Sequence, residues 1–196
     1  MEIRTKEIDM LESAVPDMRT KITKLDVTAS TLSLLALLLY LTTPLDSVIK
    51  LPILGIQLRT DFTIYVVFLL SLLKVQQYLI NSIHLIELTD RYKALLSEEF
   101  GETPQAFNLI YRSEYELKKN IFSKNFTKTH KALDNIYHVS FILGSVWLTY
   151  KLLLSATSST FTIAVSIFIV VSWVYIALLF IQYVRFNLQL ASEPQS

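Results

Sequence analysis

Apolar residues come in blocks along this chain, and the polar stretches between the blocks keep a helical rhythm of their own. The longest such pattern covers residues 61–100. Its first part, 62–73, reads FTIYVVFLLSLL and is almost wholly apolar. Its second, 74–99, admits charges and amides but contains neither Gly nor Pro. This predicts one unbroken helix. At about 1.5 Å per residue it extends roughly 58 Å, whereas the hydrocarbon core of a bilayer takes about 30 Å. Residues 61–86 are therefore expected to cross a membrane, and the rest to stand in the cytoplasm as the first arm of a helical hairpin over 87–132.

Three further blocks have the length and apolarity of membrane spans: 27–45 (VTASTLSLLALLLYLTTPL), 133–156 and 161–185. In the third block, Ser140 and Gly144 form a small-xxx-small pair that predicts close helix approach. Residues 46–60 are too short and too mixed to cross. The alternation in VIKLPILGIQL predicts an extended external strap with Pro52 and Gly55 within it. The expected fold class is an all-α membrane protein with four transmembrane helices and a cytoplasmic helical hairpin extending from helices two and three.

The polar ends are patterned as well. Within 1–26, Ile8, Leu11, Val15, Met18, Ile22 and Leu25 recur at spacings 3, 4, 3, 4, 3, an amphipathic seam. Pro16 interrupts it, with Ser13 placed to cap a restart, so two helical pieces are expected. The seam is expected to pack on the protein's own cytoplasmic helices; the alternatives are a coiled coil between subunits or a helix lying in the membrane interface. At the hairpin, Gly101 suits a helix C′ position, and Thr103 with Pro104 an N-cap and N1. A straight return helix over 104–133 would be about 45 Å, too long for the roughly 20 Å first arm. It is expected to bend near Ser123, Lys124 and Asn125. Residues 186–196 form a short polar tail.

Charge sets the orientation. Residues 1–26 hold five Lys and Arg and 88–132 hold eight, against two in the 46–60 strap and none in 157–160. By the positive-inside rule both termini and the hairpin face the cytoplasm, with Lys151 snorkelling from the end of the third span. The N-terminus has acids where a secretory leader needs a basic region, so no cleaved segment is expected. Total charge is nearly balanced, with 18 Lys and Arg against 17 Asp and Glu, and gives no general reason to expect nucleic acid as a partner. No cysteine and three scattered histidines leave little for metal chemistry, and no cofactor is expected.

The candidate chemistry lies inside the apolar blocks. Lys74, Gln77, Asn81 and His84, at spacings 3, 4 and 3, share one stripe of the second span, with Ser71 one turn above. An ionised Lys74 so far inside costs several kcal/mol unless hydrated or paired. Counting inward from the cytoplasmic ends sets it level with Tyr40, Thr149 and Ser172, which are hydrogen-bonding groups and not counter-ions. Nearer the cytoplasm, Asp134, Asn135, His138 and Gln182 reach depths similar to Asn81 and His84. The stripe reads first as glue between helices or subunits, second as the wall of a pore. Asp134 and His138 stand at i and i+4, but without a placed nucleophile they point to no catalytic site. In the central loop, Lys118, Lys119, Lys124, Lys128 and Lys131 interleave with Phe122 and Phe126. That face favours anionic headgroups over nucleic acid.

Two resemblances add to this. LTTPLDSVIKLPILGIQL followed by RTDFTIYVVFLLSLL, about 60 residues, resembles a segment of uncharacterised bacterial multipass membrane proteins with an LPLLG-like strap; Arg59-Thr60 stands where that family usually has Pro-Leu. In size and layout the whole chain is similar to the four-span membrane subunits of bacterial antiphage systems of the Kiwa type. The first implies a bacterial inner membrane and this topology. The second implies a non-enzymatic homo-oligomer that presents its hairpin to a cytoplasmic protein partner.

Overall fold

A computed structural model describes residues 2–51, 56–100, 124–155 and 160–192. Among them, four helices and one pair of short strands account for nearly all of the chain. In order these are α1 (Glu2–Thr42), β1 (Val48–Leu51), β2 (Ile56–Arg59), α2 (Thr60–Phe100), α3 (Lys124–Ser155) and α4 (Thr160–Ser192). Three segments, Lys6–Thr42, Thr60–Glu99 and Thr160–Phe186, are long and apolar enough to cross a membrane, and α3 carries a shorter apolar stretch, Val139–Ser155. The chain divides into two compact units: Met1–Thr20 with His84–Ser140, and Lys21–Ile83 with Phe141–Ser196.

In the first unit the N-terminal seam folds against the protein's own α2. Leu11 is buried with Tyr92, Leu95 and Leu96, and Ile8 and Leu88 pack on that group. Glu7 and Arg91 pair beside it at 3.1 Å, both exposed enough that the pair contributes little. The expected break at Pro16 does not occur, and α1 runs through it. A proline removes one N–H and crowds the carbonyl four residues back. Burial of Leu11 and Val15 in the turn just before the proline offsets that cost and keeps the helix continuous. Ser13 caps no restart; its hydroxyl donates to the Met10 carbonyl at 2.9 Å, and Thr20 donates to the Pro16 carbonyl at 3.1 Å. Gly101, Thr103, Pro104 and the return arm through residue 123 lie outside the described residues, so the turn of the hairpin does too; 87–100 belong to α2, and α3 starts at Lys124.

The second unit is a helical bundle with α2 at its centre. Ile64, Tyr65, Phe68, Leu72, Leu79 and Ile83 from α2 are buried with Ala36 of α1, Leu148 and Leu152 of α3, and Val165, Ile169, Ile176 and Leu179 of α4. On α4 the buried positions fall on one stripe. The remainder, including Ile167, Phe168, Val171, Val174 and Leu178, is exposed and apolar, as a helix bathed in lipid requires. Threonines on α1 hide their hydroxyls in their own helix: Thr28, Thr31 and Thr42 each donate to the carbonyl four residues back at 2.7 Å.

The 46–60 strap folds back on itself. Its limbs pair antiparallel with Val48 opposite Arg59 and Leu51 opposite Ile56, the alternating residues forming two short strands. Their connection, with Pro52 and Gly55, is outside the described residues. The base of the strap is fastened at Thr60, whose N–H and hydroxyl both donate to the Ser47 carbonyl, at 2.9 and 3.0 Å. Asp61, in the first turn of α2, accepts the Phe62 N–H at 2.8 Å and is gripped by both nitrogens of the Arg59 fork at 3.2 and 2.9 Å. A carboxylate there also complements the positive end of the helix.

The close approach expected of Ser140 and Gly144 is made elsewhere. Ser140 is exposed, and a Cβ on Gly144 would meet Leu37 Cδ2 at an ordinary 3.9 Å. Ser145, one residue and about 100° further round the helix, is the small residue that hydrogen-bonds to α1, while Gly144 lies beside Leu37 of α1.

Candidate functional site

A polar side chain inside an apolar bundle costs free energy unless it finds a partner, and the second unit provides partners in pairs of helices; among the described residues the Ser166 hydroxyl of α4 is buried without one. Ser33 of α1 and Ser145 of α3 share a buried hydrogen bond of 3.0 Å. Ser71 of α2 donates to the Ala29 carbonyl of α1 at 2.9 Å. Tyr65 of α2 reaches the Leu152 carbonyl and the Ser155 hydroxyl of α3. Gln76 of α2 reaches the Ser172 carbonyl of α4 at 3.5 Å, and Trp173 of α4 donates to Thr149 of α3 at 2.9 Å. The small residues Ala29, Ser33 and Ala36, all buried, form the face of α1 at this seam.

The stripe takes no part in that stitching. Lys74 is half-buried, Gln77 and His84 are exposed, and Asn81 is buried. Lys74 Nζ donates to Gln77 Oε1 at 3.0 Å, and Asn81 Nδ2 turns back to the Gln77 carbonyl, so both bonds stay on α2. Tyr40, Thr149 and Ser172, placed level with Lys74 by counting, are engaged elsewhere. Thr149 accepts from Trp173, the Ser172 carbonyl accepts from Gln76, and the Tyr40 ring stands edge-on to Trp147 with centroids 5.6 Å apart. Ser71, the upper member by spacing, points to α1. Leu70 and Leu73, 44% and 41% exposed, continue the same face toward the N-terminal end of α2, so the outward face changes from apolar to polar at Lys74.

Of the remaining predicted site residues only Gln182 has a described side chain. Gln182 is exposed on α4. Asp134, Asn135 and His138 sit on α3, as do Lys124, Phe126, Lys128 and Lys131, but their side chains are outside the described residues, and Lys118, Lys119 and Phe122 are wholly outside them. Lys151 does not extend past the end of α3. Its ammonium lies over the Trp147 ring, 5.8 Å from the centroid, where the electron-rich face attracts a cation.

Sequence reasoning missed Ser33, Ser145, Gln76 and the Trp173–Thr149 pair. One signal was there to be read in Ala29, Ser33 and Ala36, small residues at helical spacing inside an apolar run. No protein-family profile, no curated protein and no solved structure matches this chain.

Proposed function

We propose that this chain is a non-enzymatic, four-span protein of a bacterial inner membrane that assembles with copies of itself through the outward face of α2. One observation carries this reading. The bundle's helices are joined by hydrogen bonds that omit Lys74, Gln77 and His84, yet these polar groups stand on the outside of an otherwise apolar segment. A face that cannot rest against lipid calls for other protein or for water. In this reading both termini and the 87–132 hairpin are cytoplasmic. The hairpin is offered to a protein partner, and its basic and aromatic residues from Lys118 to Lys131 rest near anionic headgroups rather than nucleic acid. The layout is that of the membrane component of a bacterial antiphage system.

The same exposed stripe supports a second reading, a pore-forming effector or channel whose pathway the stripe faces. Native mass measurement and particle imaging in detergent separate the two with the Lys74→Leu variant. Under the first reading the wild type is a closed multimer and the variant loses subunits, with no ion flux from either. Under the second the variant keeps its copy number and changes conductance in planar bilayers. A wild-type monomer in mild detergent and in nanodiscs would overturn the first reading.

A further inference from the structure

The exposed pair Lys74 and Gln77 is composed only of donors. A lysine ammonium offers three N–H groups and accepts nothing. Because its partner must be an oxygen, the 3.0 Å contact fixes the orientation of the Gln77 amide: Oε1 is consumed and Nε2 points its two N–H groups away. Among the described residues Lys74 has no other acceptor and Gln77 Nε2 has none. The outward face of α2 thus presents four unused donors and one positive charge about half-way along the 61–86 block. A neutral polar surface would mix donors with acceptors. This one fits a ligand that only accepts and is negative.

Another copy of the chain cannot be that ligand. Apart from Asp134 at the cytoplasmic end of the third, the apolar blocks 27–45, 62–86, 133–156 and 161–185 contain no Asp or Glu, so assembly brings no carboxylate to the depth of Lys74. Toward the N-terminal end of α2 the face is closed by Leu73 and Leu70; toward the C-terminal end it continues polar with Gln77. Access is from the end that the positive-inside rule assigns to the cytoplasm. We infer that the Lys74–Gln77 face is an anion site, taking a phosphate group that enters from the cytoplasmic side. The inference rests on the assembly reading only in that neighbouring copies keep lipid tails off this face. A phosphate group reaches it either as free inorganic phosphate or as an inner-leaflet headgroup drawn between subunits.

The test uses the full chain in phosphatidylcholine nanodiscs, with two arms. Radiolabelled inorganic phosphate measures the free ion, and native mass spectrometry after adding phosphatidylglycerol counts retained anionic lipid. Wild type and Lys74→Arg should bind in one arm, whereas Lys74→Met should lose at least about tenfold in affinity, the worth of a charged hydrogen-bonded contact. Gln77→Glu is the sharper variant. It gives Lys74 a carboxylate on its own helix three residues on, and should abolish binding in both arms at whatever copy number the spectra show. Equal retention by wild type, Lys74→Met and Gln77→Glu would overturn the inference, and so would a co-purifying protein helix with a membrane-depth acid in place of phosphate. Copy number is read in the same spectra. A multimer without bound anion sinks the site alone, and a monomer that binds phosphate sinks the assembly reading alone.

Discussion

Ser33 and Ser145, 112 residues apart in sequence, meet hydroxyl to hydroxyl at 3.0 Å in the buried seam between α1 and α3. The contact depends on size as much as on hydrogen bonding, because only a small side chain on each helix leaves room for the other. Ser145→Leu should therefore cost about 1–3 kcal/mol of stability through overpacking. Gly144→Ala, whose new methyl would have an ordinary 3.9 Å neighbour, should be neutral or gain up to about 1 kcal/mol from helix propensity. Thermal unfolding of the two variants in one detergent checks the contrast; equal loss in both would show that the seam is misplaced.

Removing the Tyr65 hydroxyl leaves the ring in the core and takes away the link to Leu152 and Ser155. Tyr65→Phe should lower stability by about 0.5–1.5 kcal/mol, while Tyr65→Ala should lose about 3–5 kcal/mol by also emptying its place among Phe68, Leu148 and Leu152. Denaturant titration followed by tryptophan emission measures both.

Pro16 sits inside a continuous α1. Replacing it with Ala restores an N–H to the helix and relieves the clash with the carbonyl of Glu12, so Pro16→Ala should stabilise by up to about 3 kcal/mol, with no loss of helicity by circular dichroism. A fall in helicity would mean that the proline turn is used.

Orientation is tested by reporters. Fusions at Pro104 and at Ser196 should both give cytoplasmic activity and a fusion after Lys50 should give external activity, as four crossings and the Lys and Arg counts require. Opposite signals from Pro104 and Ser196 would remove one crossing and with it the placing of Lys74.

The sequence was most legible where a pattern repeats. Apolar blocks predicted one helix over 61–100, observed as α2 from Thr60 to Phe100, and the N-terminal seam that buries Leu11 and Val15. It was least legible where a single residue's direction decides. Spacing set Ser71 with Lys74, but the two differ by about 300° measured one way round the helix, or 60° the other, enough for Ser71 to face α1 while Lys74 faces outward. Likewise Gly144 does lie beside α1, at Leu37, but the hydrogen bond across that seam is made by its neighbour Ser145. Proline was read by its local cost, and the packing of Leu11 and Val15 on the same turn outweighed it.

The hydrogen bonds of α2 also impose an order of manufacture. Ser71 finds the Ala29 carbonyl on a segment already synthesised, but the acceptors of Tyr65 and Gln76 lie 87 and 96 residues downstream, on α3 and α4. While a ribosome is still delivering those segments, the nascent chain holds a phenol and an amide with nothing to bond in the lipid. Those bonds close only once α3 and α4 have left the ribosome and entered the membrane, and a chain truncated before residue 172 should remain a substrate for membrane quality-control proteases.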